Sequence, residues 1–193
     1  MRSLPYSPFA LFLLLTVAVQ ASAEEWNRME LMMLLATPQG SEQHYTETKE
    51  LAFLETSVVS QGRLVFTPPD QLLKQVEKPD VSRYEITGDT MTISHPGEAN
   101  QVVNIDTHPL LRTFIDTLRA ILAGDLKSLE HHYSLKLTGT RSAWQLHLSP
   151  LDSQLATLVE SLIINGQGKQ INQMITQEQG GDRTTLTLHD NGG

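Results

Sequence analysis

Residues 63–94 read RLVFTPPDQLLKQVEKPDVSRYEITGDTMTIS, and this stretch decides the fold. Apolar and polar side chains alternate along it in short runs, which is the period of a half-buried strand. Prolines punctuate the stretch at 67–70 and 78–80, and a glycine-containing turn occupies 87–89. Short alternating runs that are joined by tight turns predict an antiparallel meander with one apolar face.

The same pattern continues outward in both directions. Period-two runs begin at about Gln43, with Gly62 dividing two of them, and they return over residues 133–188. Within that second part, residues 155–164 fit either a helix or a strand, and residues 165–168 (NGQG) predict a tight turn. We therefore expect an α+β fold that is mainly β, with one large, strongly curved antiparallel sheet and a few helices.

Three segments have the spacing of a helix instead. Residues 24–36 carry apolar side chains three and four apart, and they end at a Pro-Gly stop signal at 37–40. A second helix opens at Pro109, and a glycine ends it before Asp125, which is placed to cap a short third helix to about His131. The second helix has an apolar stripe that is too wide for a simple surface helix, made of Leu110, Leu111, Phe114, Ile115, Leu118, Ile121 and Leu122.

The first 23 residues have the organisation of a secretory signal peptide. Arg2 supplies the positive start, residues 9–19 are apolar, and residues 21–23 (ASA) form a small-x-small site for cleavage after Ala23. The apolar stretch is too short to span a bilayer. We expect the mature protein, residues 24–193, to be a single domain in the periplasm.

Charge and cysteine content narrow the classes of partner. The chain has no cysteine, so we expect neither a disulfide framework nor a lipid-attachment cysteine. Removal of Arg2 lowers the basic count from 14 to 13 against 22 acidic residues, which changes the net charge from −8 to −9. An acidic chain without a basic run argues against nucleic acid and against anionic lipid headgroups as partners. Nothing in the sequence demands more than a monomer.

The chain carries no motif that points to catalysis. A Gly-x-Ser-x-Gly elbow and a cysteine nucleophile are both missing from the sequence, although a triad built from distant residues stays open. The seven histidines lack metal-ligand spacing, and Asp89 and Asp182 have the context of turn residues. Residues 166–168 (GQG) lack the following helix that a phosphate-binding loop requires. We predict no catalytic residue, no metal and no cofactor, and an exported hydrolase remains the enzymatic alternative.

The apolar residues of the sheet and of the second helix leave two interpretations open. A curved sheet with an apolar concave face can enclose a cavity beneath a neighbouring helix. The same side chains can also pack against one another as a solid core. Periodicity does not distinguish between these two interiors, because both bury the same face of each element.

Several short motifs resemble, in order and spacing, the LolA-type periplasmic lipoprotein carriers over about residues 26–188. Their order matches the family's Gly-x-Leu strand with a proline turn, a Glu-Lys-Pro corner, an Asp-Gly-Lys hairpin, a Trp-x-Leu-x-Leu-x-Pro strand, and a final Asp/Gly-rich turn with a Thr-rich strand. The corresponding stretches here are 62–69 (GRLVFTPP), 77–79 (EKP), 86–91 (ITGDTM), 144–150 (WQLHLSP) and 181–185 (GDRTT).

The resemblance implies an incomplete β-barrel that is closed by a helical lid, with a hydrophobic cavity for the acyl chains of lipoproteins. It also implies an inner-membrane donor transporter and an outer-membrane acceptor as partners, and no chemistry of the protein's own. One element departs from the family pattern. The family carries an aromatic-Arg-aromatic element that holds the lid closed, and here residues 71–74 (QLLK) contain no arginine. Lys74 is the candidate substitute, although it lacks the planar fork of arginine.

On this basis we expect the lipid-binding residues to come from both halves of the sheet and from the second helix. The candidates are Leu64, Phe66, Leu72, Tyr84, Ile86, Met91, Ile93, Trp144, Leu146 and Leu148 in the sheet, and Leu111, Phe114, Ile115 and Leu118 in the helix. The leading hypothesis is a periplasmic carrier that shields the acyl chains of a lipoprotein or other lipid and ferries them from the inner to the outer membrane. The alternative is a non-catalytic adaptor that binds an envelope protein through its sheet edge.

Overall fold

The computed structural model describes residues 26–36 and 40–189. The predicted signal peptide lies outside the described residues, and so do the first three residues of the predicted helix stop at 37–40. The side chain of Leu110, one member of the predicted helical stripe, also lies outside them.

Within the described residues, eleven strands form one antiparallel sheet in the spatial order β6-β5-β4-β3-β2-β1-β11-β10-β9-β8-β7. The order does not close on itself, because β6 and β7 lie at opposite edges. The fold is therefore mainly β with one large antiparallel sheet, as the alternating pattern predicted, and the sheet is not closed into a barrel, as the resemblance implied. The strands are β1 (Ser41–Glu50), β2 (Val58–Thr67), β3 (Gln71–Lys78), β4 (Ser82–Thr87), β5 (Thr90–Ser94), β6 (Gln101–Asn104), β7 (Tyr133–Thr140), β8 (Ala143–Pro150), β9 (Val159–Gln167), β10 (Gln170–Glu178) and β11 (Arg183–His189).

Three α-helices accompany the sheet in the described part of the chain, at the positions that the helical spacing predicted. They are α1 (Arg28–Leu35), α2 (Pro109–Ala123) and α3 (Leu126–His132). Pro109 occupies the first turn of α2, and Gly124 ends that helix in the left-handed conformation with φ 69°. A side chain at Gly124 would also meet the Met32 carbonyl oxygen, since a Cβ there would lie 2.3 Å from it. The two helix ends can therefore touch only because this residue is glycine.

Two local predictions were wrong. Gly62 does not divide two runs, because β2 continues through it from Val58 to Thr67. The predicted turn at 165–168 starts later, since β9 extends to Gln167 and β10 resumes at Gln170. Gly166 stays inside the strand because the Trp144 ring packs on it, with a Cβ there falling 2.2 Å from the ring. Gly62 and Gly166 therefore allow close packing inside a strand, and neither of them reverses the chain.

The packed core lies under the β7–β9 half of the sheet. α1 and α3 bury their apolar sides there against the inner face of those strands, and α2 contributes Ala120 and Ile121 near its end. The central members of this cluster are Leu31, Met32, Leu35, Ile121, Leu129, Tyr133, Trp144, Leu146, Leu148, Leu162 and Ile164. One half of the sheet is thus filled by helix packing, which leaves the β1–β5 half to be covered by α2 alone.

Loss of the cap of α3 should cost measurable stability. The Asp125 carboxylate accepts hydrogen bonds from the Ser128 amide (3.1 Å) and the Ser128 hydroxyl (2.6 Å), and these bonds lower its pKa. Asp125→Ala should reduce the free energy of unfolding by about 1 kcal/mol in urea denaturation. Because the pKa is depressed in the folded state, the contribution is present above the unfolded pKa and is lost as the pH falls through the folded value. Asp125→Asn, which still caps, should lose far less at neutral pH.

Candidate functional site

A cavity of about 290 Å³ lies between α2 and the β1–β5 half of the sheet, and it extends to the last strands of the chain. Its lining is dominated by aliphatic and aromatic side chains, with a few polar groups. A pocket that is mostly apolar with a small number of placed polar groups is typical of sites for apolar ligands. The interior of this half of the molecule is therefore hollow, in contrast to the packed core under β7–β9.

Ten of the fourteen predicted binding residues line this cavity. The sheet contributes six of them and α2 contributes four: Leu64, Phe66, Leu72, Tyr84, Ile86, Met91, Leu111, Phe114, Ile115 and Leu118. Their contact with a lipid stays a prediction. Their shared position follows from strand register, because Leu72 pairs with Ile86 and Ile86 with Met91 along one row of the sheet.

Four predicted residues do not reach the cavity. Trp144, Leu146 and Leu148 of β8 are buried in the helix-packed core, where α1 and α3 cover them. Ile93 lies one row further along β5 from Met91 and is not among the lining residues. The prediction failed for β8 because α1 and α3, whose docking the sequence does not specify, occupy the face that the cavity would need.

Sequence reasoning missed the lining residues from the C-terminal strands. Leu162, Ile171, Met174, Leu186 and Leu188 all face the cavity. β11 lies beside β1, with Tyr45 opposite Leu188 and Glu47 opposite Leu186. The alternation of β11 marked it as a strand, and its pairing with the first strand of the sheet is the long-range contact that brings its apolar side to the cavity.

Arg119 attaches α2 to the tips of two hairpins. Its Nη2 donates to the carbonyl oxygens of Asp70 (2.8 Å) and Gly88 (2.7 Å), and its Nε donates to Asp70 as well (3.1 Å). The two hairpin tips are also joined to each other, since the Gly88 amide donates to the Asp70 carboxylate at 3.1 Å. The Arg119 side chain is only 15% exposed, so these charge-assisted bonds are largely shielded from water.

A second arginine of α2 adds an ionic cluster beside the first. The Arg112 guanidinium binds the carboxylates of Asp116 (2.7 Å), Asp89 (2.8 Å) and Asp106. The Asp116 hydrogen bond and charge raise the pKa of Arg112 further. Both arginines therefore lie on α2 and reach from the helix to the hairpin tips of the sheet. Lys74, the candidate substitute, bonds elsewhere.

Lys74 forms an ion pair with Glu47 in the lining of the cavity. Its Nζ donates to Glu47 Oε2 at 2.7 Å and lies 5.3 Å from the centre of the Tyr45 ring, and both Lys74 and Glu47 line the cavity. The Ser60 hydroxyl approaches the other oxygen of Glu47 at 3.5 Å. β2 runs between the partners of this ion pair and presents Gly62 there, where a Cβ would fall 1.9 Å from the Gln75 carbonyl oxygen.

The Tyr45 ring lies next to the Lys74 ammonium and is buried. Burial raises its pKa to about 12, with the nearby charge of Glu47 acting in the same direction and the Ser60 hydroxyl opposing. The Tyr45 hydroxyl makes no hydrogen bond of good geometry to any described residue, although Ser60 lies close enough to exert that opposing effect. The ring therefore stays neutral and serves as a face for the Lys74 ammonium.

Tyr133 anchors the other side of α2. Its hydroxyl lies 2.9 Å from the hydroxyl of Thr117, which in turn donates to the Thr113 carbonyl oxygen at 2.7 Å. Burial raises the pKa of Tyr133, and the Thr117 bond opposes the rise. α2 is thus fixed to β7 on one side and to the hairpin tips on the other, with its apolar face over the cavity.

Among the described residues, no helix is long and apolar enough to cross a membrane. The same residues hold no group of three or more His, Cys, Asp or Glu side chains that could bind a metal ion.

An open antiparallel sheet, with an apolar cavity under a helix that is bonded to the hairpin tips, defines a class of cavity-bearing β proteins. The chain belongs to the family described as outer membrane lipoprotein carrier protein LolA-like, whose model matches residues 20–191. The fold and the family agree with the resemblance drawn from the sequence motifs. A comparison with curated proteins gave no match.

Solved structures with related folds include three from different bacteria. A LolA superfamily protein from Nitrosomonas europaea is 7% identical with a TM-score of 0.47, covering 84% of this chain and 90% of that one. A putative outer membrane lipoprotein-sorting protein domain from Vibrio parahaemolyticus is 12% identical with a TM-score of 0.46, covering 85% and 92%. The lipoprotein LppX of Mycobacterium tuberculosis is 10% identical with a TM-score of 0.40, covering 83% and 93%.

Proposed function

We propose that this protein is a carrier that shields an acyl chain of a lipoprotein or other lipid in the cavity under α2. The observation that carries the proposal is the cavity itself, an apolar space of about 290 Å³ in a chain of the lipoprotein carrier family. No step of bond making or breaking is part of the proposed function, and the carrier acts only by binding and releasing its cargo.

Energetics favour a cavity of this kind for reversible transport. Withdrawing an acyl chain from a membrane costs roughly 0.8 kcal/mol per methylene, so a chain of about sixteen carbons costs on the order of 12 kcal/mol. An apolar lining recovers a large part of that cost, because burial returns roughly 25 cal/mol per Å². The lining must not recover much more, since the cargo has to leave again for an acceptor membrane.

The proposed location is the periplasm, with the signal peptide cleaved after Ala23 and residues 24–193 acting as one domain and as a monomer. The composition of residues 1–23 supports export. An inner-membrane donor transporter and an outer-membrane acceptor are the partners that the family membership suggests. The acidic net charge opposes adhesion to anionic membranes by electrostatic repulsion, which would help a carrier to dissociate after delivery.

The test is ligand occupancy followed by transfer. Mature protein should be purified from the periplasm without detergent and analysed by native mass spectrometry, and titrated with the uncharged apolar probe N-phenylnaphthylamine. We expect probe fluorescence to rise on binding, and an acylated peptide to move from donor to acceptor vesicles faster when the protein is present. A protein that neither binds the probe nor speeds transfer would leave the adaptor hypothesis in its place, to be tested by capture of an envelope protein at the β6 or β7 edge.

A further inference from the structure

The ion pair of Lys74 and Glu47 is a charged group in the lining of an otherwise mostly apolar cavity. Lys74 and Glu47 both line the space, with side chains 31% and 24% exposed. The positions beside Lys74 in its row carry Leu64 on one side and the Tyr84 ring on the other. A salt bridge in such surroundings loses hydration when a ligand fills the cavity, and that loss must be offset by the ligand.

The Lys74 ammonium is the donor of the pair, and it has N–H groups to spare. Lys74 carries three N–H donors, of which one meets Glu47 Oε2 at 2.7 Å and another side of the group faces the Tyr45 ring. Both oxygens of Glu47 already face donors, from Lys74 and more distantly from Ser60. Lys74 therefore offers a ligand a positively charged donor, whereas the lone pairs that remain on Glu47 carry a negative charge that repels a ligand oxygen.

We propose that Lys74 binds the carbonyl oxygen of an ester- or amide-linked acyl chain, so that the cavity prefers acyl esters and amides over free fatty acids and over plain hydrocarbons. The inference rests on the proposed carrier function and names the ligand chemistry of the same cavity. A carbonyl oxygen accepts a charge-assisted hydrogen bond without adding charge, which replaces the water that the ligand displaces from the ammonium.

Free fatty acids fit the pair less well. Their carboxylate would stand beside Glu47, and two negative groups would then share one ammonium in apolar surroundings. A hydrocarbon fits poorly for the opposite reason, because it covers the Lys74 ammonium and gives no acceptor in return. The order of affinity is therefore ester and amide first, with carboxylate and hydrocarbon behind.

Competition against N-phenylnaphthylamine tests this order. The competitors are methyl hexadecanoate, hexadecanamide, hexadecanoate and hexadecane. Each is measured on the wild-type protein and on Lys74→Met, which has an unbranched side chain one atom shorter and lacks the donors. We expect the ester and amide to bind about tenfold more tightly than hexadecane to the wild type, which is the effect of one good hydrogen bond. In Lys74→Met that ratio should fall to about one.

Two further variants keep the test decisive. Glu47→Gln leaves Lys74 charged without its anionic partner, so hexadecanoate should gain about tenfold in affinity while the ester changes little. Lys49→Met is the matched control, because Lys49 pairs with Glu178 at 3.8 Å and does not line the cavity, and it should leave all four affinities unchanged. If Lys74→Met does not fold, the Glu47→Gln result decides alone.

The outcomes separate this inference from the carrier function. Probe binding with no difference among the four competitors, or an equal loss of all of them in Lys74→Met, would overturn the role of Lys74 and leave the carrier function standing. Failure of the wild type to bind the probe at all would overturn both. A tenfold ester preference that disappears in Lys74→Met, with the gain of hexadecanoate in Glu47→Gln, would establish the inference.

Discussion

Phe114→Glu should abolish ligand binding while leaving the protein folded. Phe114 lines the cavity from α2, yet its side chain is 42% exposed, which places it at the opening rather than in the packed interior. A carboxylate there remains hydrated in the empty protein, so the free energy of unfolding should change by less than about 1 kcal/mol. An acyl chain would have to strip that hydration to enter, and we expect the affinity for N-phenylnaphthylamine to fall at least about tenfold.

Two comparison variants show whether the effect belongs to the cavity. Phe53→Glu changes a more exposed phenylalanine, at 79%, that does not line the cavity, and it should leave probe binding unchanged. Ile115→Glu places the charge at a neighbouring lining residue that is 1% exposed, and it should destabilise the fold severely. A thermal melt of Phe114→Glu that resembled that of Ile115→Glu would show that Phe114 is part of a solid core and would argue against an open cavity.

The sequence predicted the lining from β2–β5 and α2 better than the lining from the C-terminal strands. The β2–β5 meander and α2 are local, since period and turn residues define both, and all of their predicted residues except Ile93 line the cavity. The rest depends on contacts between distant parts of the chain. β11 joins β1 across the whole length of the domain, and that pairing turns Leu186 and Leu188 toward the cavity. No local pattern specifies which strand will lie beside β1.

The local sequence pattern also could not predict which half of the interior is a cavity and which half is packed core. Trp144, Leu146 and Leu148 alternate just as the residues of β2 and β4 do. They differ only in being covered by α1 and α3, whose docking is set by tertiary packing. Periodicity states which face of a strand is buried, and the neighbouring elements decide whether that face meets side chains or empty space.

The arginines of α2 are a related case, in which the contact that holds the helix is formed between distant parts of the chain. The stretch at 71–74 lacks an arginine, so the sequence alone left the attachment of the helix unexplained. The structure has the guanidinium on the helix and the acceptors on the hairpin tips, at Asp70 and Gly88. Backbone carbonyls carry no sequence signature, because every residue has one, so this contact could be found only from the fold.

Arg119→Ala should loosen α2 and lower stability by about 3 kcal/mol. The substitution removes three charge-assisted hydrogen bonds to the carbonyl oxygens of Asp70 and Gly88, of which each is worth roughly 1.5–3 kcal/mol but which are not additive. The cost is large because the side chain is 15% exposed and the freed carbonyls stay partly buried. Urea denaturation measures the loss, and hydrogen exchange should show faster opening in α2 than in β8 and β9.

Arg119→Lys separates the geometry of the guanidinium from its charge. A lysine keeps the positive charge beside Asp116 but cannot donate in a planar fork to two hairpin tips, so it should recover less than about half of the lost stability. Arg83→Ala is the matched control, since Arg83 forms an ion pair with Glu85 on an exposed strand face and its loss should change stability by less than about 0.5 kcal/mol. Arg119→Ala could instead match that control and leave hydrogen exchange in α2 unchanged. That result would show that α2 is held over the cavity by its apolar face alone and that the Arg119 hydrogen bonds do not stabilise it.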